Sequence, residues 1–220
     1  MTISENLKFI RRQLPDKVKL VAVSKTKSND QIMEAYSAGQ RLFGENKVQE
    51  LMGKWQELPK DIQWHFIGHL QRNKVKQVVP LVSLIHGVDS FKLLSAINQE
   101  ATKNNLVVAV LLEFHIAAEE SKFGLTLGKA EELLANPETK AMKNILFKGV
   151  MGMATFTSDE ELIRQEFDQL SLIFARLKQL YFSADDRFCE LSMGMSDDFQ
   201  LAVAAGSTMV RIGSSIFGSR

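Results

Sequence analysis

A valine-rich run, Lys19-Leu-Val-Ala-Val-Ser-Lys25-Thr-Lys27, delivers a primary amine at Lys25. Its alternation and β-branched content read as a buried strand. A charged amine at the exit of such a strand is costly unless something uses it. Desolvation also lowers a lysine pKa, and that makes the amine nucleophilic enough to form a Schiff base with a carbonyl. The competing reading is a strand that stops because Lys25 has reached water, as most lysines do.

A second constellation lies near the other end of the chain, in Met209-Val-Arg211-Ile-Gly213-Ser214-Ser215. Strand parity puts Arg211 and Gly213 on one face and Val210 and Ile212 on the other. A glycine followed by two serines at a strand exit can aim backbone N–H groups at an anion without side-chain obstruction. The competing reading is a small-residue turn into a frayed end. An arginine inside a buried strand needs a partner. Ser196 offers a hydroxyl to the same anion, or else caps a helix whose first turn holds Asp197 and Asp198. Those aspartates would repel an anion placed squarely on that terminus. The main cradle is therefore expected at Gly213 and Ser214, with Ser196 touching the anion by its hydroxyl.

Other chemistries find less support. His65 and His69 have H-x3-H spacing, which makes a metal site only when both lie on one helical turn. Gly68 between them and the strand-like Trp64-His-Phe-Ile argue for a strand exit, with no cysteine pair or carboxylate cluster beside it, so no metal is expected. No G-x-S-x-G occurs, which argues against a serine hydrolase. The pairs Glu119-Glu120 and Glu160-Glu161 read as solvated, and Met153, Met193 and Met195 as candidates to line a site mouth.

The elements that must position these residues alternate along the chain. Strand-like runs fall near 18–24, 40–43, 63–67, 82–88, 106–114, 145–152, 187–191 and 208–212. Amphipathic segments fall between them, near 28–38, 46–57, 71–79, 90–103, 126–135, 158–181 and 197–205, after a first helix at 3–14. Ser28, Ser90, Thr126, Ser158 and Ser196 sit where N-caps belong, and Gly39 and Gly206 where helices end. Eight β/α units predict a closed (β/α)8 TIM-type barrel in a single domain over 1–220. No G-x-G-x-x-G follows a strand to favour an open dinucleotide-binding sheet. The last strand leaves too little chain for a full eighth helix, and the N-terminal helix is expected to cover that gap. In such a barrel the exits of the strands form the functional mouth, and Lys25, Gly44-Glu45-Asn46, Ser196 and Gly213 all fall there.

The 220 residues carry a net charge of +1, which gives no footprint for nucleic acid or an anionic membrane. A lone cysteine, Cys189, rules out an internal disulfide and suits a reducing cytosol. No signal-peptide core opens the chain and no stretch approaches the length of a spanning helix, so a cytoplasmic location is expected.

A lysine after the first strand, a phosphate cradle after the eighth and a buried arginine beside it describe a pyridoxal 5'-phosphate (PLP) site on a barrel. The chain closely resembles the pyridoxal phosphate homeostasis protein family. The matching stretches are Ala22-Val-Ser-Lys25-Thr-Lys, Phe43-Gly-Glu-Asn46-Lys-Val-Gln-Glu50 and Trp64-His-Phe-Ile-Gly-His-Leu-Gln-Arg-Asn-Lys74. They continue through Glu120-Ser-Lys-Phe-Gly124, Leu191-Ser-Met-Gly-Met-Ser-Asp-Asp198 and Met209-Val-Arg-Ile-Gly-Ser-Ser-Ile-Phe-Gly218.

The resemblance implies a barrel like the alanine racemase N-terminal domain, with Lys25 as the aldimine lysine and Asn46 near the cofactor. It implies Ser196, Gly213 and Ser214 at the phosphate and Arg211 at the pyridine nitrogen. It also implies a non-catalytic role, binding PLP and keeping its free level in range, with PLP-dependent apo-enzymes as candidate recipients. An arginine facing the pyridine nitrogen should keep it unprotonated and weaken the cofactor as an electron sink. Alanine racemase draws its second base from an additional β-domain, and a chain of this length is expected to have no room for one. The alternatives are a weak PLP-dependent amino-acid racemase and a cofactor-free lyase using Lys25. A monomer is expected. Lys122, after the fifth strand, is a candidate secondary lysine for cofactor entry or exit. Where the family often has Gln-Val-Asn, this chain carries Glu113-Phe-His115.

Overall fold

Period-two runs become strands and period-3.6 runs become helices across the computed structural model, which describes residues 2–118 and 123–218. The order begins α1 (Ile3–Gln13), β1 (Lys19–Val23), α2 (Asn29–Ser37), β2 (Leu42–Glu45), α3 (Val48–Glu57) and β3 (Gln63–Phe66). A 3-10 turn at Arg72–Lys74 runs into α4 (Val75–Val78), followed by β4 (Leu84–Val88), α5 (Phe91–Lys103) and β5 (Val108–Phe114). Then come α6 (Leu127–Ala135), α7 (Pro137–Lys140), β6 (Ile145–Gly152) and α8 (Glu160–Tyr181). β7 (Glu190–Ser192), α9 (Phe199–Ala204), β8 (Met209–Ile212) and α10 (Ser214–Phe217) complete it. The eight strands form a closed parallel barrel in chain order, with β8 pairing back onto β1.

Strand alternation divides the core into two layers. Inside the barrel Val21, Leu84, Leu111, Met151 and Met209 pack together, with Leu42, Ala109 and Met153 against them. The opposite parity, including Ala22, Phe43, Trp64, Phe66, Ile85, Val110, Leu112, Val150 and Val210, packs under the helices. Met193 belongs to that outer layer rather than to the mouth, because its strand parity turns it away from the barrel axis. As the sequence suggested, α1 covers the seam between first and last strands. It packs on α2 and α10, and Asn6 Nδ2 donates to the Ile216 carbonyl at 2.9 Å.

Several local expectations are corrected. β2 begins at Leu42 rather than at 40, because the Gln40 side-chain amide donates to the Leu20 and Leu42 carbonyls in place of a ladder bond. Gly44 and Glu45 are consequently inside the strand, and Glu45 faces the helices. Ser28, Ser90 and Thr126 cap their helices through their hydroxyls. Ser158 does not: Asp159 accepts from the N–H groups of Glu161 and Leu162, and its carboxylate is the stronger cap. Two short helices, α7 and α10, were not anticipated; four residues are too few to carry a period.

The β5–β6 pairing shifts register between Val110 and Leu111, and Gly149, on β6 at φ +152°, sits where the extra residue is absorbed. A Cβ there would overlap the Glu190 carbonyl oxygen. Gly149→Ala should therefore cost about 3 kcal/mol or more. Gly53, inside α3 with nothing within 4 Å of a built Cβ, behaves oppositely, and Gly53→Ala should gain about 0.5–1 kcal/mol. Urea unfolding of the two variants checks both signs.

Candidate functional site

Three neighbouring strands, β2, β1 and β8, place the expected site residues side by side. Val23 is in register with Gly44, and Ala22 with Ile212. Lys25 and Asn46 each lie two residues beyond the Val23–Gly44 pair, and Gly213 follows Ile212 directly. The Gly213 backbone lies against Val23: a Cβ built on it would stand 3.3 Å from the Val23 carbonyl oxygen. Lys25 is half-buried in the turn after β1. Lys27, two residues on, donates to the Gly218 carbonyl at 3.1 Å, so the first loop also holds the end of α10.

At the β8 exit the Gly213 N–H and the Ser215 N–H both point at Ser196 Oγ, at 3.3 and 3.5 Å. Ser196 is not an N-cap. α9 starts at Phe199, and Asp198 folds back to accept the Met195 N–H at 2.5 Å, which leaves the serine hydroxyl to the β8 loop. Ser214 is exposed at the first position of α10. The structure thus assembles Ser196, Gly213 and Ser214 in one place. It adds the N–H of Ser215, the second of the two serines that follow the glycine.

Asn46 leaves β2 against the bare backbone of Gly68, where a Cβ would come within 2.6 Å of the Asn46 carbonyl oxygen. The Asn46 Oδ1 is buried with no hydrogen-bond partner among the described residues. A buried acceptor in that state calls for an explanation, and a ligand is one.

Arg211 points into the barrel and is 4% exposed. One terminal nitrogen donates to Ser192 Oγ (2.7 Å) and to the Ser192 carbonyl (2.9 Å), and the other to the Gly152 carbonyl (3.0 Å). Ser192 Oγ also lies 3.3 Å from His86 Nδ1, and His86 Nε2 lies 3.0 Å from His65 Nδ1. The arginine can only donate, so Ser192 Oγ accepts from it, and the direction of the Ser192–His86 and His86–His65 contacts depends on the histidine tautomers. Burial holds the His65 pKa down to about 3 and that of His86 well below its ordinary value, so both rings are neutral. Burial lowers Arg211 to about 10, still a cation at neutral pH. Glu113, on β5, is 5% exposed, and its burial, with Asp89 nearby, pushes its carboxyl up to about 7 against the pull of Arg211.

His65 and His69 are thus not a metal pair: His65 faces His86 inside the barrel, while His69 stacks on Phe123 at 4.1 Å between ring centroids. His86 and Ser192 carried no sequence signal, since each sits singly within an apolar strand. Glu119, Glu120 and Lys122 lie outside the described residues.

A family model described as the alanine racemase N-terminal domain matches residues 1–220. The pyridoxal phosphate homeostasis protein of Aquifex aeolicus is 39% identical over 203 residues, covering 92% of this chain and 87% of that one. The protein of the same name from Homo sapiens is 41% identical over 213 residues, covering 92% of this chain and 76% of that one. The solved structure of PipY from Synechococcus elongatus PCC7942, with PLP bound, superposes with a TM-score of 0.90 at 36% identity. It covers 99% of this chain and 100% of its own.

The buried titratable groups set opposed pH dependences. An unfolded histidine protonates near 6.5, whereas His65 stays neutral down to about 3, so the unfolded chain binds more protons in that window. The histidine contribution to stability is therefore complete above about pH 6.5 and is lost as pH falls toward 3. Glu113 runs the other way: its folded pKa of about 7 exceeds the ordinary 4.5, so stability is lost as pH rises from about 4.5 through 7. Glu113→Gln should change urea stability little at pH 5 and raise it by about 2–3 kcal/mol at pH 8. An equal effect at both pH values would mean that Glu113 does not titrate near neutrality.

Proposed function

Because the chain belongs to the pyridoxal phosphate homeostasis protein family, built on the alanine racemase N-terminal domain, we propose that it binds PLP through Lys25 and holds the free cofactor in range without turning over a substrate. The observation that carries this reading is the convergence of the Gly213 and Ser215 N–H groups on the Ser196 hydroxyl, beside the strand that leads into the Lys25 turn. A phosphate asks for N–H and O–H donors, and these three groups supply them. The unpartnered Asn46 Oδ1 and the close packing of Gly213 on Val23 also fit a ligand held between β1, β2 and β8.

When bound, PLP supplies an aldehyde that condenses reversibly with an amine and a ring that withdraws electrons. Lys25 presents the amine, Ser196, Gly213 and Ser214 take the phosphate end, Asn46 lines the site, and Arg211 takes the ring nitrogen. Arg211 remains a cation at neutral pH and can only donate, so it keeps a proton off that nitrogen and favours storage over carbanion chemistry. His86 offers no base, since both its nitrogens are hydrogen-bonded within the barrel.

We read residues 1–220 as one binding domain and the chain as a cytoplasmic monomer, with PLP-dependent apo-enzymes as recipients. Among the described residues no helix is long and apolar enough to cross a membrane. A weak amino-acid racemase is the second reading. Glu113 favours it, because a carboxyl with a pKa of about 7 facing Arg211 has the range of a general base.

PLP titration followed by absorbance, with borohydride reduction and peptide mass mapping, tests the assignment. Wild type should turn yellow, bleach with borohydride and carry the adduct on Lys25. Lys25→Ala should lose the bleachable colour and keep its fold. Ser196→Ala should weaken binding about tenfold, the worth of a hydrogen bond to a charged group. An adduct mainly on another lysine would overturn the Lys25 assignment. Loss of the α-proton of alanine, abolished in Glu113→Gln, would favour the racemase.

A further inference from the structure

We propose that Glu45, Glu50 and Lys54 are positioning residues that set the direction in which the backbone presents Lys25; the inference rests on Lys25 being the cofactor lysine. Lys54, on α3, reaches under the β1 turn. Its Nζ donates to the Ser24 carbonyl at 2.8 Å and pairs with Glu45 Oε1 at 2.7 Å and with Glu50 Oε2 at 3.4 Å. Glu45 Oε1 also accepts the Ser24 hydroxyl at 2.6 Å, and Glu50 Oε2 accepts the Thr26 N–H at 2.7 Å.

The two backbone groups held in this way are the C=O of residue 24 and the N–H of residue 26. The first lies in the peptide plane on the N-terminal side of the Lys25 Cα, the second in the plane on its C-terminal side. A peptide unit is rigid, so pinning both planes fixes φ and ψ of Lys25 and with them the direction of its side chain. The turn does not hold this shape by preference. Thr26 stands at φ +64°, a left-handed conformation that a β-branched residue avoids. The Glu50 carboxylate on its N–H opposes relaxation of that residue.

Burial points the same way. The side chains of Glu45 and Lys54 are 0% and 8% exposed. A buried ion pair is seldom more stabilising than apolar side chains of the same volume, so its presence here suits geometry better than stability. Burial pushes the Glu45 carboxyl up, with Lys54 and Ser24 opposing. Its Oε2 has no hydrogen-bond partner among the described residues, so the cluster is organised around the single oxygen that holds Ser24 and Lys54.

The test compares Glu50→Ala with Glu50→Gln in the full chain, because glutamine keeps an acceptor for the Thr26 N–H and alanine does not. A Lys54→Met/Glu45→Gln double variant removes both buried charges together, so that neither is left uncompensated. Two readouts are taken beside a thermal midpoint: PLP affinity, and acetylation of Lys25 in the cofactor-free protein, scored by peptide mass against Lys103, whose side chain is 71% exposed. Glu50→Ala and the double variant should bind PLP about tenfold more weakly, the worth of one hydrogen bond to a charged group, and acetylate Lys25 several-fold faster. Glu50→Gln should restore both toward wild type. The proposal is overturned if Glu50→Ala matches wild type in both readouts, or if Glu50→Gln is as impaired as Glu50→Ala. Should wild type take up no PLP, the cofactor reading fails, and the acetylation rates alone decide whether the cluster positions Lys25.

Discussion

The pairing of β8 with β1 closes the sheet, and with Ala22 opposite Ile212 it joins residues 190 positions apart in the chain. An open sheet of the same strands would leave Lys25 and Gly213 on opposite edges. Closure instead makes them neighbours and packs the Gly213 backbone against Val23. It also leaves a seam that no full eighth helix covers. α1 and α10 share that seam, which is why the first helix of the chain hydrogen-bonds to the last. The juxtaposition of Lys25 with Gly213 is therefore the consequence of one topological event.

Closure also creates an interior that must be filled, and this one is filled unevenly. Lys19 and Glu190 pair at the entry end of the strands, an apolar layer follows, and Arg211, Ser192, His86 and His65 form a polar layer above it. The arginine governs that layer. Its donors hold Ser192, which contacts His86 and through it His65, so removing any member would leave a buried polar group without its partner. Such a chain holds Arg211 in one orientation. Glu113 is the discordant member: a buried carboxyl, protonated or ionised according to pH.

The holding of PLP without turnover proposed above would draw on these devices. The cations near the site are pinned, the histidines are neutral and internally bonded, and the lysine turn is clamped by an ion cluster. Flexibility is the usual requirement of an enzyme that must reorganise around successive states; a reservoir needs one well-defined bound state and a reversible bond.

Amphipathic periodicity, serine and threonine caps and strand-exit chemistry are local properties, and they determined the eight β/α units and the barrel and put Lys25, Asn46, Ser196 and Gly213 at strand exits. Local reasoning failed where a side chain's role depends on something far away in the chain. Ser196 has both a helix cap and an anion contact open to it in the sequence, and the β8 loop, 17 residues on, decides between them by turning its N–H groups onto the hydroxyl. His86 and Ser192 look like isolated polar interruptions of apolar strands, and only barrel closure brings them within reach of each other across the interior. Glu45 and Lys54 look like a strand-end loop and a helix surface, yet they are buried together beneath the Lys25 turn. Periodicity says which face a residue occupies. What stands opposite that face is fixed by strand order and register, and only the folded chain decides those.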